Sequence, residues 1–307
     1  MTQGSWDGEE RVTRRRCGRL RAGVMTGLVV TAVAGPASRP AAAWGTQGHR
    51  VVGQVAETRL SADAQAHVHW LLDGRSLGEV GSWADAFVDG VYQTALWHFV
   101  NIPQHEVLYA RERDCPRQPA APAVGRGDRW RDCVVDRIEY HAARVGNGAL
   151  DRADRALALK FLVHLVADVH QPFHALATAR GGNGIQVEVF GSLDCPTDAG
   201  TSARCNLHSV WDAGLMRHAG LADRALGARL ESMIRQEGWG AARDAGVAAW
   251  AEESHAIAKQ FLLGERGRVD QDYYERAIPR VEERLALAAV RLAALLDRTL
   301  TGRPPGR

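Results

Sequence analysis

The chain has 307 residues, 46% hydrophobic and 24% charged, close to the average for a soluble globular protein and long enough for one large domain or two small ones. These proportions exclude a disordered chain, a collagen-like fibre and a polytopic membrane protein. Lys and Arg total 38 against 36 Asp and Glu, so no charge excess marks a nucleic-acid or membrane surface. The cations are almost all arginine, Lys160 and Lys259 being the two lysines.

At the N-terminus, residues 11–21 are strongly basic and residues 22–35 form a run of 14 without charge. A membrane-spanning helix needs about 20 apolar residues, so the run is short for an anchor. With Ala41-Ala42-Ala43 behind it, the segment reads as a secretory signal removed after Ala43; an uncleaved anchor is the alternative. No cysteine stands at the cleavage point to carry a lipid. Residues 1–43 hold seven arginines and three acids, so the remaining 264 residues carry 31 basic and 33 acidic side chains, net −2. Removal of Cys17 leaves Cys115, Cys133, Cys195 and Cys205. Four cysteines in an exported chain suggest two disulfides with three possible connectivities. The local pairs Cys115–Cys133 and Cys195–Cys205, each closing a Pro/Gly-rich loop, are preferred.

Beyond residue 43 there is no internal repeat, and helical periodicity dominates. It predicts helices over roughly 48–60, 61–73, 79–89, 133–145, 152–170, 207–218, 221–237, 243–263 and 270–299. The last is expected to kink or restart at Pro279. Residues 111–132 read as a loop, and residues 181–206 contain one hairpin, around Ile185-Gln186-Val187-Glu188-Val189-Phe190, followed by a disulfide-closed loop. The expected fold is mainly α, one multi-helix domain over 44–300 with a short β-hairpin and a frayed tail at 301–307.

The densest chemistry lies in residues 161–174, FLVHLVADVHQPFH. His164 and Asp168 are four apart and project from one face of a helix. Pro172 ends that helix, and His174 in the turn can fold back toward the same space. His208 and Asp212 repeat the spacing on another helix. Imidazole and carboxylate suit zinc, and i, i+4 spacing lets two of them meet one ion. Each pair alone is a weak signal. Two pairs, with His49, Asp85 and His98 in apolar surroundings, point to a multi-metal site, because an apolar run such as Phe161-Leu162-Val163 does not host polar groups without strong partners.

The segments WGTQGH at 44–49, SWADAF at 82–87, LWHFVN at 96–101, HLVADVHQPFH at 164–174, GGNGI at 181–185 and NLHSVWD at 206–212 occur in this order. Together with WAEESHA at 250–256 and YYERAIPRVEERL at 273–285 they resemble the zinc-dependent single-strand-specific nucleases of the mung bean nuclease type, bacterial branch. The resemblance covers nearly all of residues 44–300 and implies the helical fold shared with zinc phospholipase C, with three Zn²⁺ ions. One ion would take the amine and carbonyl of Trp44 with His49 and Asp168. A second would take Asp85, His98, His164 and again Asp168, and the third His174, His208 and Asp212. His170 would orient a ligand by a hydrogen bond, and the other histidines would serve surface or packing roles.

The resemblance further implies zinc-bound hydroxide attacking a phosphodiester, with Asp85 and Asp168 as the catalytic carboxylates. The substrates would be single-stranded DNA or RNA, cut to 5′-phosphorylated products, and 3′-nucleotides. The three ions would make the pocket positive although the chain surface is not. A base would stack on Phe99, worth roughly 1–3 kcal/mol, with Asn101 beside it where fungal and plant members place an Asp. Asn183 would shape the rim near the phosphate. Several family members carry an Arg three residues beyond the Asp85 equivalent, where this chain has Val88; either another Arg substitutes or turnover falls. No stable protein partner and no membrane are expected. The rival readings are a zinc phospholipase C-like hydrolase and a weakly active secreted zinc-binding protein; the Asp212 of NLHSVWD, where the phospholipases carry Glu, weighs against the former.

Overall fold

The computed structural model describes residues 44–88, 92–116, 118–119, 130–240 and 245–301. Residues 1–43, read from the sequence as a signal, and the tail from residue 302 lie outside the described residues. Among the described residues, twelve α-helices follow in chain order: α1 (Gly45–Glu57), α2 (Ala62–Leu71), α3 (Leu77–Val80), α4 (Trp83–Val88), α5 (Arg111–Asp114), α6 (Val134–Gly146), α7 (Arg152–Val169), α8 (Leu207–Ser209), α9 (Leu215–Ala219), α10 (Asp223–Gln236), α11 (Gly246–Phe261) and α12 (Gln271–Leu300). Six strands of two or three residues join them: β1 (Gln118–Pro119), β2 (Trp130–Arg131), β3 (Val187–Val189), β4 (Asp194–Pro196), β5 (Ser202–Arg204) and β6 (Gly267–Val269). The fold is mainly α, as the periodicity predicts.

Helix α7 is the axis of the domain. Asp151 caps it by accepting from the Asp154 amide at 2.7 Å, and every residue from Phe161 to Val169 is buried. A helix apolar on all sides belongs inside, and α1, α2, α3, α4, α6, α11 and α12 pack around this one. Helix α1 in turn lies against α3, α10 and α12.

Five predicted elements differ in form. The helix expected over 79–89 is two short helices parted at Gly81, whose carbonyl is used elsewhere, as described below. The helix expected over 207–218 is α8, a π-helical turn over Val210–Gly214, and α9. The helix α12 does not restart at Pro279 but runs through it. Ala277, Val281 and Leu285 are all completely buried, so core packing on both sides of the proline outweighs its missing amide. Strand β3, expected in a hairpin, pairs in parallel with β6 from a distant part of the chain. The hairpin is instead β4–β5, within the loop closed by Cys195–Cys205, and a second small antiparallel pair, β1–β2, stands in the segment read as loop. Both preferred disulfides, Cys115–Cys133 and Cys195–Cys205, are formed.

Leu162 is fully buried in α7. Leu162→Ala should cost about 2–5 kcal/mol, measured as a lower midpoint in chemical denaturation with no change in slope.

Candidate metal centre

Asp168 sits in the last turn of α7 with no exposed surface. Its Oδ1 lies 3.5 Å from His49 Nε2. Its Oδ2 lies 2.9 Å from His98 Nδ1 and 3.1 Å from His164 Nε2. The two oxygens thus face two different sets of nitrogens. Asp85 approaches from α4, with Oδ1 3.4 Å from His164 Nε2 and 4.0 Å from His98 Nδ1. His49 and His164 stack with ring centroids 3.9 Å apart.

A second cluster adjoins the first. His174 Nε2 lies 3.6 Å from Asp212 Oδ1, and His208 Nε2 lies 3.4 Å from Asp212 Oδ2. The His174 and His208 rings stack at 4.9 Å, and His174 Nδ1 comes within 3.8 Å of Asp168 Oδ1. The structure therefore brings three candidate metal-holding groups together: His49, His164 and Asp168; Asp85, His98 and His164; and His174, His208 and Asp212. Within each, the ligand atoms lie within 4.8 Å of one another. Trp44 is fully buried at the start of α1, its indole Nε1–H donating to the Ala167 carbonyl at 2.8 Å, one residue from Asp168.

The ring orientations are set by backbone carbonyls. His164 Nδ1–H donates to Gly81 at 2.8 Å, His174 Nδ1–H to His98 at 2.8 Å and His208 Nδ1–H to Gly181 at 2.7 Å. Each bond fixes the tautomer whose free Nε2 lone pair points into the cluster. The segments carrying His98 and His174 are tied together by Val100 N–H to the His174 carbonyl (2.8 Å) and Ala177 N–H to the Ile102 carbonyl (3.0 Å). Beside them, residues 179–182 all have positive φ, Ala179 at 48°, Arg180 at 57°, Gly181 at 63° and Gly182 at 80°. For Ala179 and Arg180 that left-handed backbone is strained. The run delivers the Gly181 carbonyl to His208.

Electrostatically the site is built for a cation. Burial alone would push the His164 imidazole down, yet the Asp168 and Asp85 carboxylates lift it well above its ordinary value. His174 is likewise raised, against burial, by Asp212 and Asp168. Burial opposes ionisation of Asp168 too, but His164 above all holds its carboxyl well below the usual range. His49 is pushed down to about 3 by burial and by His164, so it presents a neutral lone pair. His49 Nε2, Asp168 Oδ1, His174 Nε2 and Asp212 Oδ2 are buried without a hydrogen-bond partner. Each orphan costs about 1–3 kcal/mol, and a divalent cation held by imidazole and carboxylate would satisfy them together. The residues fit a metal centre.

Three contributors were given no role in the sequence analysis. Gln171 Nε2 donates to Asp212 Oδ1 at 2.6 Å while its Oε1 accepts from Phe173 N–H, which joins the end of α7 to the π-turn. Gly81 bonds His164 through its carbonyl, and a Cβ on it would stand 2.6 Å from the His49 carbonyl oxygen; the glycine is what lets α1 and α7 share the site. Behind the site, Arg284 and Arg291 bond Glu253. His170 belongs to this last network and not to a ligand. Its Nδ1–H donates to the Val166 carbonyl at 2.7 Å and its Nε2 faces Arg291 at 2.9 Å, because a residue two beyond Asp168 on a helix points away from it.

Of the expected substrate contacts, Phe99 is half-buried next to His98, Asn101 is exposed, and Asn183 bonds the Arg180 carbonyl at 3.0 Å. The side chain of Val88 lies outside the described residues. His67, His141 and His255 are buried, and His69, His105 and His218 lie on the surface or packed at it; none of the six belongs to a metal-holding group.

A buried, three-part His/Asp centre at the end of a helical core fits the metal-dependent hydrolases as a class. The sequence pattern described as S1/P1 Nuclease matches residues 44–301. The chain belongs to the S1/P1 nuclease family, and it is a phosphodiesterase hydrolase. It is 26% identical to Endonuclease 2 of Arabidopsis thaliana over 275 residues, which covers 83% of this chain and 90% of the relative. Nuclease P1 of Penicillium citrinum is 27% identical over 283 residues, 81% of this chain and 95% of the relative. Nuclease S1 of Aspergillus oryzae is 24% identical over 287 residues, 83% and 91% respectively.

Two outcomes follow from the supports of the site. Gly81→Ala must displace backbone at His49, so it should cost about 1–3 kcal/mol in thermal or chemical denaturation. Glu253 is held below its ordinary 4.5, against burial, by hydrogen bonds and charge from Arg291 and Arg284. A depressed carboxylate pKa adds stability above the unfolded value and loses it as pH falls through the folded one. The acid limb of a stability–pH curve should therefore flatten below about pH 4.5 in Glu253→Gln, and the variant should be less stable than the parent at neutral pH.

Proposed function

We propose that the protein is a zinc-dependent enzyme that cuts single-stranded DNA and RNA to 5′-phosphorylated products and dephosphorylates 3′-nucleotides. It would act outside the cytoplasm as a chain of residues 44–300 beginning at Trp44 after removal of its signal. The observation that carries this reading is the set of three His/Asp groups, two sharing His164 and the third reaching Asp168 through His174, in a member of the S1/P1 nuclease family. Imidazole and carboxylate are the donors that suit zinc. The relatives named Nuclease P1, Nuclease S1 and Endonuclease 2 support a nucleic-acid substrate. Among the described residues no helix is long and apolar enough to cross a membrane.

The residues divide the work as follows. Trp44, His49 and Asp168 would hold one zinc; Asp85, His98, His164 and Asp168 a second; His174, His208 and Asp212 a third. Asp168 suits the bridging role because its two oxygens face separate nitrogens, His49 on one side and His98 with His164 on the other. Zinc would supply an acidified water, with a pKa near 7 instead of that of bulk water, and charge for the departing oxygen. His164, His174 and His208, each held by a backbone carbonyl, keep their rings aimed without reorganisation during turnover. Phe99, half-buried beside His98, would receive an unstacked base, Asn101 would donate or accept at the base edge, and Asn183 would shape the rim. Arg180 answers the lack of a cation at position 88. It is exposed, makes no ion pair among the described residues, and adjoins the Gly181 carbonyl that orients His208, so its guanidinium would be available to a substrate phosphate.

The decisive experiment uses protein beginning at Trp44 and single-stranded DNA, with and without a chelator. Chelator-sensitive cleavage leaving 5′-phosphates is expected. Asp168→Asn should retain less than about a hundredth of the parent rate, and Arg180→Ala about a tenth of kcat/KM, the loss of one charged hydrogen bond of about 1.5 kcal/mol. Zinc bound without any cleavage, together with phosphatidylcholine hydrolysis, would replace this reading by the phospholipase one.

A further inference from the structure

Helix α1 brings His49 to Asp168, but its own sequence does little to hold its first turn. Trp44 provides no side-chain cap, and the first turn contains no acidic residue. Both are supplied from 152 residues away. The Thr46 amide donates to Asp198 Oδ2 at 3.0 Å, and the Thr46 hydroxyl reaches the same oxygen at 3.5 Å. A carboxylate on a free amide of the first turn both caps the helix and meets the positive end of its dipole.

Asp198 is itself held. Its Oδ1 accepts from Arg217 Nη2 at 2.9 Å, and Arg217 Nη1 donates to the Pro196 carbonyl at 3.0 Å. Pro196 ends β4, and Asp198 lies in the tip of the β4–β5 hairpin, whose base is closed by Cys195–Cys205. Gly45 has φ +52°, and a Cβ on it would stand 3.0 Å from both Asp198 Oδ2 and the Ala213 side chain. The hairpin tip and the π-turn carrying Asp212 therefore both press on the start of α1. On the other side, the Trp44 indole is anchored to Ala167. Residues 44–46 are gripped from two directions, at a point that becomes a chain end once Ala43 is removed, where an untied segment would fray.

We propose that Asp198 is a positioning residue: the disulfide-closed β4–β5 hairpin clamps the first turn of α1, so that Trp44 and His49 stay on Asp168 and the metal of that group is retained. The inference rests on the reading of His49 and Asp168 as metal-holding residues. It makes that metal dependent on the Cys195–Cys205 disulfide, which confines Asp198 within a loop of ten residues' separation. The other two groups take no residue from α1.

The test compares metal retention in protein beginning at Trp44 with Asp198→Ala, Asp198→Asn and the Cys195→Ser/Cys205→Ser pair. Zinc per chain is measured after dialysis against graded chelator, and amide exchange is measured over residues 45–49. Asp198→Ala should release one zinc of three at roughly ten- to a hundredfold less chelator than the parent, with faster exchange in the first turn of α1 and the other zincs unmoved. Asp198→Asn keeps an acceptor for the Thr46 amide and should recover part of the loss; the cysteine pair should resemble Asp198→Ala. Uniform loss of all zinc with a general fall in Tm, or a parent-like chelator profile in Asp198→Ala, overturns the clamp. A parent chain that binds no zinc refutes the metal reading instead, and unchanged exchange over residues 45–49 in Asp198→Ala then overturns the clamp separately.

Discussion

Asp168 is an ionised carboxylate with no exposed surface, set in a helix whose last nine residues are all buried. Taking one charge out of water costs several kcal/mol even after relaxation, so everything near it is arranged in answer. Four imidazoles, from α1, the turn at His98, α7 itself and the turn at His174, lie within 2.9–3.8 Å of its two oxygens. Those four segments cannot reach one point unless α1 and α7 nearly touch and the 98–102 and 172–177 stretches lie side by side. The close packing around α7 is therefore the scaffold's answer to one buried charge.

The second layer is made of main chain. Gly81, His98 and Gly181 each offer a carbonyl to the far nitrogen of a clustered imidazole. A carbonyl is present at every residue, so its role depends only on where the backbone passes. That explains why a glycine parts α3 from α4, and why residues 179–182 accept a left-handed turn. Strain of this kind persists where surrounding structure over-determines it, and here the surroundings are an imidazole stack and the π-turn. A π-helical insertion widens the helix locally and recurs at functional sites; this one carries Asp212 back against His208 and Gln171.

Much of this was legible in the residues. The pairs His164/Asp168 and His208/Asp212 lie on helices at the spacing that puts them on one face, and His174 folds back after Pro172 as a proline-terminated helix requires. Both local disulfides formed, since short loops rich in Pro and Gly bring their ends together readily. His170 misled, because it stands inside the same motif while its helical position turns it toward Arg291 and away from Asp168. The strand over Val187–Val189 misled for another reason. A run of alternating residues followed by a turn looks the same whether its partner is four residues or eighty away, and its actual partner is β6.

By itself the sequence determined which segments are helical, which side chains can hold a metal and the order in which they come, because periodicity and ligand chemistry are local properties. The tertiary structure alone decided which oxygen of Asp168 faces which nitrogen, which backbone carbonyls orient the imidazoles, and that Asp198 reaches across to the start of α1. These are distances between residues far apart in the chain. They arise from the packing of helices around α7, which no single segment encodes.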